Sequence, residues 1–255
     1  MSCNSICPPL LILAFNRPDT TRRVLEAVRA ARPSRLYFAV DGPRANQSED
    51  AAAVQEVREL TREIDWDCDT RTLFPEHNLG CKLAVSQAIT WFFSEVEAGI
   101  ILEDDCVAET SFFAFAGELL ERYRDDHRIA MVSGDNFQQG RRRTAYSYYF
   151  SRYAHIWGWA TWADRWRSVS IDDLDLPGIR RAILNDDWLG SGPFIRMYWL
   201  DIVEYQAADK FDSWGYSVAF HCSMPAGTRR RSPTSLFSTP TTPGTRARSR
   251  SSLAT

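Results

Sequence analysis

Short apolar runs, each followed by a segment of helical periodicity, constrain this chain more than any other feature. The runs "PLLILAF" (9–15), "RLYFAV" (35–40), "GIIL" (99–102) and "RIAMVSG" (128–134) lack polar alternation, as strands covered on both faces do. A further strand is predicted near 69–74 ("DTRTLF"). Between them, Val24, Leu25 and Val28 share one helical face, with Asp19 or Thr20 as the expected N-cap. A second helix is predicted across 50–63. Val85, Ala88, Ile89, Phe92, Phe93 and Val96 mark a third, and Phe112, Phe115, Ala116, Leu119, Leu120 and Tyr123 a fourth. Strand and helix alternate four times with short connections. That order predicts an α/β, Rossmann-like, doubly wound domain with a mainly parallel central sheet and right-handed crossovers.

In such sheets ligands bind beyond the carboxyl ends of the strands. Three polar features fall at those ends: Asn16-Arg17, Asp41-Gly42 and Glu103-Asp104-Asp105. The last is the most informative, because adjacent carboxylates at the end of a buried strand repel one another and need a cation or a proton. Oxygen-only ligands suit Mg²⁺ or Mn²⁺, which bind one or two carboxylates together with substrate phosphates. The plainer alternative is a solvated acidic turn ahead of the next helix, where Glu109 and Thr110 also lie.

Composition narrows the class. With 30 basic and 33 acidic residues in 255, the net charge of −3 gives no reason to expect nucleic acid. "PPLLILAF" lacks a basic leader and is too short to span a bilayer, so a cytoplasmic protein is expected, with membrane contact no more than peripheral, at the inner face. The six cysteines are scattered with no zinc-like spacing, and free thiols are expected.

After about residue 145 aromatics crowd together, with Trp157, Trp159, Trp162 and Trp166 in "YAHIWGWATWADRW". Trp162 and Trp166 fall at helical spacing, whereas Trp157 and Trp159 are the better candidates for a site. For the block as a whole, and for His155, core packing is the competing reading. Gly158 suits a tight backbone conformation. Acid-rich, helical segments are expected to follow. Near Met224 the texture breaks. Residues 225–255 are almost all Ser, Thr, Pro, Arg and Gly with no acid, and removing their +6 from the net −3 leaves −9 on the rest. One folded domain over 1–224 and a disordered tail over 225–255 are expected. A shifted reading frame or a misassigned end is the expectation this break raises, and the alternative frames of the encoding DNA would test it.

The blocks "LILAFNRPDTTRRVLEAV…LYFAVDGPR", "HNLGCKLAVSQAI", "AGIILEDDCVAETSFFAF", "VSGDNF" and "YAHIWGWATWADRW", in this order over roughly 9–222, resemble a GT-A type nucleotide-sugar glycosyltransferase. N-acetylglucosaminyltransferase I and its bacterial relatives are the most similar group. The resemblance implies a metal-dependent, inverting transfer from a UDP-sugar to a glycan acceptor. It implies Asp105 as the Mn²⁺ (or Mg²⁺) ligand, with Asp104 and Glu103 toward the ribose and donor sugar. Asp41 would meet the nucleoside and Arg17 the nucleotide, while Trp157, Gly158 and Trp159 would lie between donor and acceptor. "KFDSWGY" matches the family's base segment, implying Asp212 as catalytic base, with Asp209, Asp186 and Asp187 as competitors. A helix opening at "HNLG" offers backbone N–H groups to an anion, making Asn78, Gly80 and Lys82 donor-side candidates; Asn78 as a plain N-cap is the alternative. The family's closing loop after the base has no counterpart in this chain.

Three rivals remain. A sugar nucleotidyltransferase would want a Gly-rich phosphate loop after the first strand, which "AFNRPDTT" lacks. A glycosidase places its two acids across a bond and not side by side. A nucleotide- or glycan-binding protein with a degenerate site fits the odd tail.

Overall fold

The computed structural model describes residues 7–135, 137, 141, 145–151, 153–185, 192–210, 212–223 and 234–238. The elements run β1 (Leu10–Ala14), α1 (Pro18–Ala31), β2 (Arg35–Val40), α2 (Ser48–Glu59, then a 3₁₀ turn Leu60–Glu63), β3 (Asp69–Leu73), α3 (Cys81–Glu95), β4 (Ala98–Glu103), α4 (Thr110–Arg122) and β5 (Ile129–Ser133). Then come β6 (Tyr148–Ser151), β7 (Trp159–Trp162), α5 (Ala163–Trp166), α6 (Leu176–Leu184), α7 (Pro193–Ala207), α8 (Gly215–Ser223) and β8 (Thr234–Ser238).

One sheet carries the strands in the order β3-β2-β1-β4-β7-β5-β8-β6. Strands β3, β2, β1 and β4 pair in parallel. Strand β7 lies antiparallel between β4 and β5, so β5 keeps the direction of β4. The chain therefore has the α/β architecture with a mostly parallel central sheet that the alternating pattern predicts. Successive residues of β1 feed opposite faces. Leu10 and Ile12 join Val24, Leu25 and Val28 of α1, Val54 and Val57 of α2, and Phe112, Ala116 and Leu119 of α4. Leu11 and Leu13 join Ile89, Phe92 and Phe93 of α3 and Trp159, Trp166 and Trp214 on the other face. Each Leu or Ile fully withdrawn from water contributes about 1.5–3 kcal/mol before entropy is counted. This double cover is why the strands read as unbroken apolar runs. Ile179, Ile183, Ile202, Val203 and Phe220 form a smaller core between α6, α7 and α8, the helical segment expected after the aromatic block.

Three expectations need correction. Helix α1 starts at Pro18, with Arg17 and not Asp19 or Thr20 at the N-cap. Proline's fixed φ pre-sets the first helical position, where its missing N–H costs nothing. Trp162 belongs to strand β7, not to a helix; its indole N–H donates to the Leu120 carbonyl at 3.0 Å, and only Trp166 is helical. The tail is not structureless throughout: Thr234–Ser238 pairs in parallel with β5 and antiparallel with β6. These residues hold Leu236 and Phe237, the tail's only adjacent pair of large apolar side chains. The rest of 225–255 lies outside the described residues.

Among the described residues no helix is long and apolar enough to cross a membrane. Cys7, Cys68, Cys81, Cys106 and Cys222 are free thiols.

Candidate functional site at the carboxyl ends of the strands

Strands β1, β2 and β4 deliver Asn16-Arg17, Asp41-Gly42 and Glu103-Asp105 to one edge of the sheet. The cation that meets the acids there is an arginine. The Arg17 guanidinium spans Asp104, through Nε to Oδ2 at 3.2 Å and Nη2 to Oδ1, and reaches Asp105 Oδ2 through Nη1 at 3.1 Å. The Asp104 side chain is 5 % exposed, whereas those of Asp105 and Arg17 are 44 % and 52 % exposed. A two-point fork on a buried carboxylate is geometry that only arginine supplies. Arg17 is fixed at the start of α1, since Thr21 N and Oγ1 both donate to its carbonyl.

The three acids differ in charge state. Burial pushes the Asp104 carboxyl up, with Arg17 opposing. Glu103 is pushed from 4.5 to about 7, first by burial, then by the charges of Asp105 and Asp104. The folded chain therefore favours protonated Glu103 between those two values. Its contribution to stability is complete below about pH 4.5 and is lost as pH rises through about 7. In EDTA, the urea midpoint is expected to fall between pH 5 and 7.5. In Glu103→Gln the part of that fall due to this group should vanish.

Asp41 serves the second strand end. It is 9 % exposed and accepts from Gly42 N at 2.8 Å, Leu79 N at 3.0 Å and Asn78 Nδ2 at 2.8 Å. Asn78 Nδ2 also donates to the Gly42 carbonyl at 2.9 Å. Asn78 is therefore a tie between β2 and the loop before α3, not the N-cap. Gly80, with φ +81°, holds that position.

The start of α3 is not an open anion site either. Cys81 N and Lys82 N donate to Asp212 Oδ2 and Oδ1 at 2.7 and 2.9 Å, so the chain's own carboxylate fills it. A helix N-terminus attracts negative charge, and Asp212 is the nearest anion. Lys82 Nζ pairs with Asp172 Oδ1 at 2.7 Å. Although Cys81 keeps an exposed surface, the protein crowded around it and the charges of Glu103, Asp212, Asp41 and Asp104 push its thiol to about 11. Four carboxylates thus gather about the start of α3. Asp212→Ala is expected to cost about 1 kcal/mol, as loss of an N-cap does, read as a lower thermal midpoint.

Sequence reasoning missed two groups. Asp50, 4 % exposed, binds Asn16 Nδ2 at 2.7 Å and the Arg44 guanidinium at 2.6 and 3.0 Å, tying the β1 end to α2. The Arg44 hydrogen bonds hold its carboxyl well below the usual range. Nothing in "SEDA" announces this role. Asp135, beyond β5, follows the same strand-end rule as Asp41 and could have been found by it.

In the aromatic block, Trp157 is 45 % exposed, whereas Trp159 is 2 % exposed and stacks on Trp214 at 6.0 Å. Trp159 packs the core and offers no face to a sugar, because β7 is buried on both faces. Gly158 has φ +75° and accepts from Gly134 N at 2.9 Å, the tight turn its residue type suggests. Asp209 is described, with φ +51°, while Asp186 and Asp187 lie outside the described residues.

No group of three His, Cys, Asp or Glu able to hold a metal ion gathers among the described residues. Asp105 is the exposed carboxylate and Asp104 is engaged by Arg17. A hard cation fits only if phosphate and water complete its shell, the habit of Mg²⁺ beside substrate phosphates.

No family model matches the chain, and no curated protein matches it. Among solved structures, it is similar to a 4-diphosphocytidyl-2C-methyl-D-erythritol synthase from Anaerococcus prevotii, at 8 % identity over 76 % of this chain and 84 % of that one, with a TM-score of 0.36. A likeness this distant carries no argument about function.

Proposed function

We propose that this chain is a glycosyltransferase of GT-A type, using a nucleotide-diphosphate sugar, with UDP the expected nucleotide. The reading rests on one observation: an exposed carboxylate, Asp105, and a guanidinium, Arg17, stand together at the carboxyl edge of a parallel sheet. The ordered sequence blocks that resemble such enzymes support it. Arg17 and a Mn²⁺ or Mg²⁺ ion on Asp105 would hold the diphosphate, the ion supplying charge neutralisation for the leaving group. Glu103 and Asp104 line the donor side, and Trp157 the sugar side. A glycan acceptor, and peripheral contact with the inner face of the membrane, belong to the same reading.

Titration calorimetry with UDP, with and without Mn²⁺, tests it. Metal-dependent binding, together with UDP release from a UDP-sugar, is expected. Binding in neither condition would sink the proposal. A second reading is favoured by the Arg17 contacts, which already engage both Asp104 and Asp105. A nucleotide-binding protein with a degenerate site would bind UDP equally well without metal and release none from its sugar.

A further inference from the structure

We propose that His155, backed by the buried carboxylate of Asp135, is the group that takes the proton from the acceptor hydroxyl. This rests on the glycosyltransferase reading above and deepens it.

Register places the pair. Trp159 of β7 lies opposite Ile101 of β4 on one side and Ser133 of β5 on the other. Glu103 and Asp135 are each two residues beyond those partners, at equivalent heights on the same sheet edge. Two strand spacings put them about 10 Å apart. The turn 155–158 enters β7 between them. Its Gly158 is tied to Gly134, and a Cβ at Gly158 would lie 3.5 Å from Leu102 Cδ2, next to the acidic strand end.

The pair has the form of an oriented base. His155 Nδ1 lies 3.5 Å from Asp135 Oδ2, with the two side chains 27 % and 8 % exposed. No donor among the described residues hydrogen-bonds that buried Oδ2. A carboxylate so far out of water is costly unless a cation or a donor faces it, and the imidazole is the group that does. The contact is longer than a formed hydrogen bond, as such contacts often are before substrate binds. With Nδ1 toward Asp135, Nε2, across the ring, is the nitrogen that would take the proton when an acceptor hydroxyl binds beside it. Phe137, 52 % exposed, lies 4.7 Å from the His155 ring and meets Trp157 edge-on at 5.4 Å. Two exposed aromatic rings beside a polar pair suit one face of a sugar ring.

Asp212, which the sequence resemblance suggests for this task, spends both oxygens on the backbone of α3. In the transfer step the acceptor oxygen bonds to the anomeric carbon as its proton passes to His155 Nε2. The bond from that carbon to the diphosphate oxygen breaks, and its electron pair leaves with the nucleoside diphosphate. The imidazolium, held by the Asp135 carboxylate, then returns its proton to water. Asp135 is a positioning residue in this scheme.

The test uses the full 255-residue chain with Mn²⁺. UDP release is followed from UDP-N-acetylglucosamine, UDP-glucose and UDP-galactose, with methyl glycosides and water as acceptors. His155→Gln should lower turnover about 100-fold or more, while the Kd for UDP and the thermal midpoint stay as in the parent. Asp135→Asn should lower turnover about tenfold or more with the donor KM unchanged, a split that a packing role alone would not give. Added imidazole should restore part of the activity of His155→Ala. Turnover by His155→Gln within about threefold of the parent overturns the proposal. So does loss of turnover in Asp212→Asn alone, with UDP binding and the thermal midpoint as in the parent. Should His155→Gln fail to fold, Asp135→Asn and the imidazole rescue decide. A parent chain that neither binds UDP nor releases it removes the glycosyltransferase reading itself, and the dyad with it.

Discussion

Asp105→Ala is expected to abolish the Mn²⁺-dependent component of UDP binding, weakening the complex tenfold or more, about 1.4 kcal/mol. The reason lies in how the three acids divide their work. Asp104 is buried and forked by Arg17, and Glu103 is raised toward neutrality. Asp105 is the one with a half-exposed carboxylate in reach of a ligand. Its removal leaves the Arg17–Asp104 pair intact, so the fold should survive, and the thermal midpoint serves as the control. Calorimetry with UDP at fixed Mn²⁺ reads the loss. Unchanged affinity would mean that no metal bridges nucleotide and protein, which favours the degenerate binding protein.

Gly42→Ala is expected to be the most damaging small substitution near the site. A Cβ on Gly42 would sit 2.3 Å from His77 C and 2.4 Å from His77 O, atoms of backbone that no rotamer change can move. Either the strand end or the 77–80 loop must shift. Asp41 holds that loop through Asn78 and Leu79, so the shift also breaks its hydrogen bonds. Overpacking of this kind costs about 3 kcal/mol, which for a chain of this size is about 6–12 °C in thermal midpoint. Gly192→Ala is the control. Among the described residues nothing lies within 4 Å of the added carbon there, and a change within about 0.5 kcal/mol is expected.

How much was legible depended on whether the deciding contact was local. Strands β1, β2, β4 and β5 declare themselves because helices cover both their faces, which demands unbroken apolar runs. Strand β8 does not, since five residues within an Arg/Ser/Thr/Pro tail carry no comparable pattern. Trp162 and Trp166 satisfy helical spacing, yet the strand ends between them, and β7 pairing with β4 settles the matter. The site divides in the same way. The strand-end rule brings Arg17, Asp41 and Glu103–Asp105 together from sequence alone. It does not show that Arg17 grips Asp104, 87 positions away, or that Asp212 caps a helix 131 positions earlier. Those contacts exist only once the sheet is assembled.

The place of β7 carries a consequence for how the chain reaches this state. β4 and β5 are joined through α4 as an ordinary crossover unit, the arrangement that usually makes two strands immediate parallel neighbours. Here the gap between them is filled by a strand made later, running the other way. During synthesis β4 waits with an open edge while residues 104–158 are made, about 3–11 s at about 5–20 residues per second. β5 emerges in that interval as a competing partner. Any direct pairing of the two must open again before β7 can enter and carry Gly158 and Trp157 to the sheet edge.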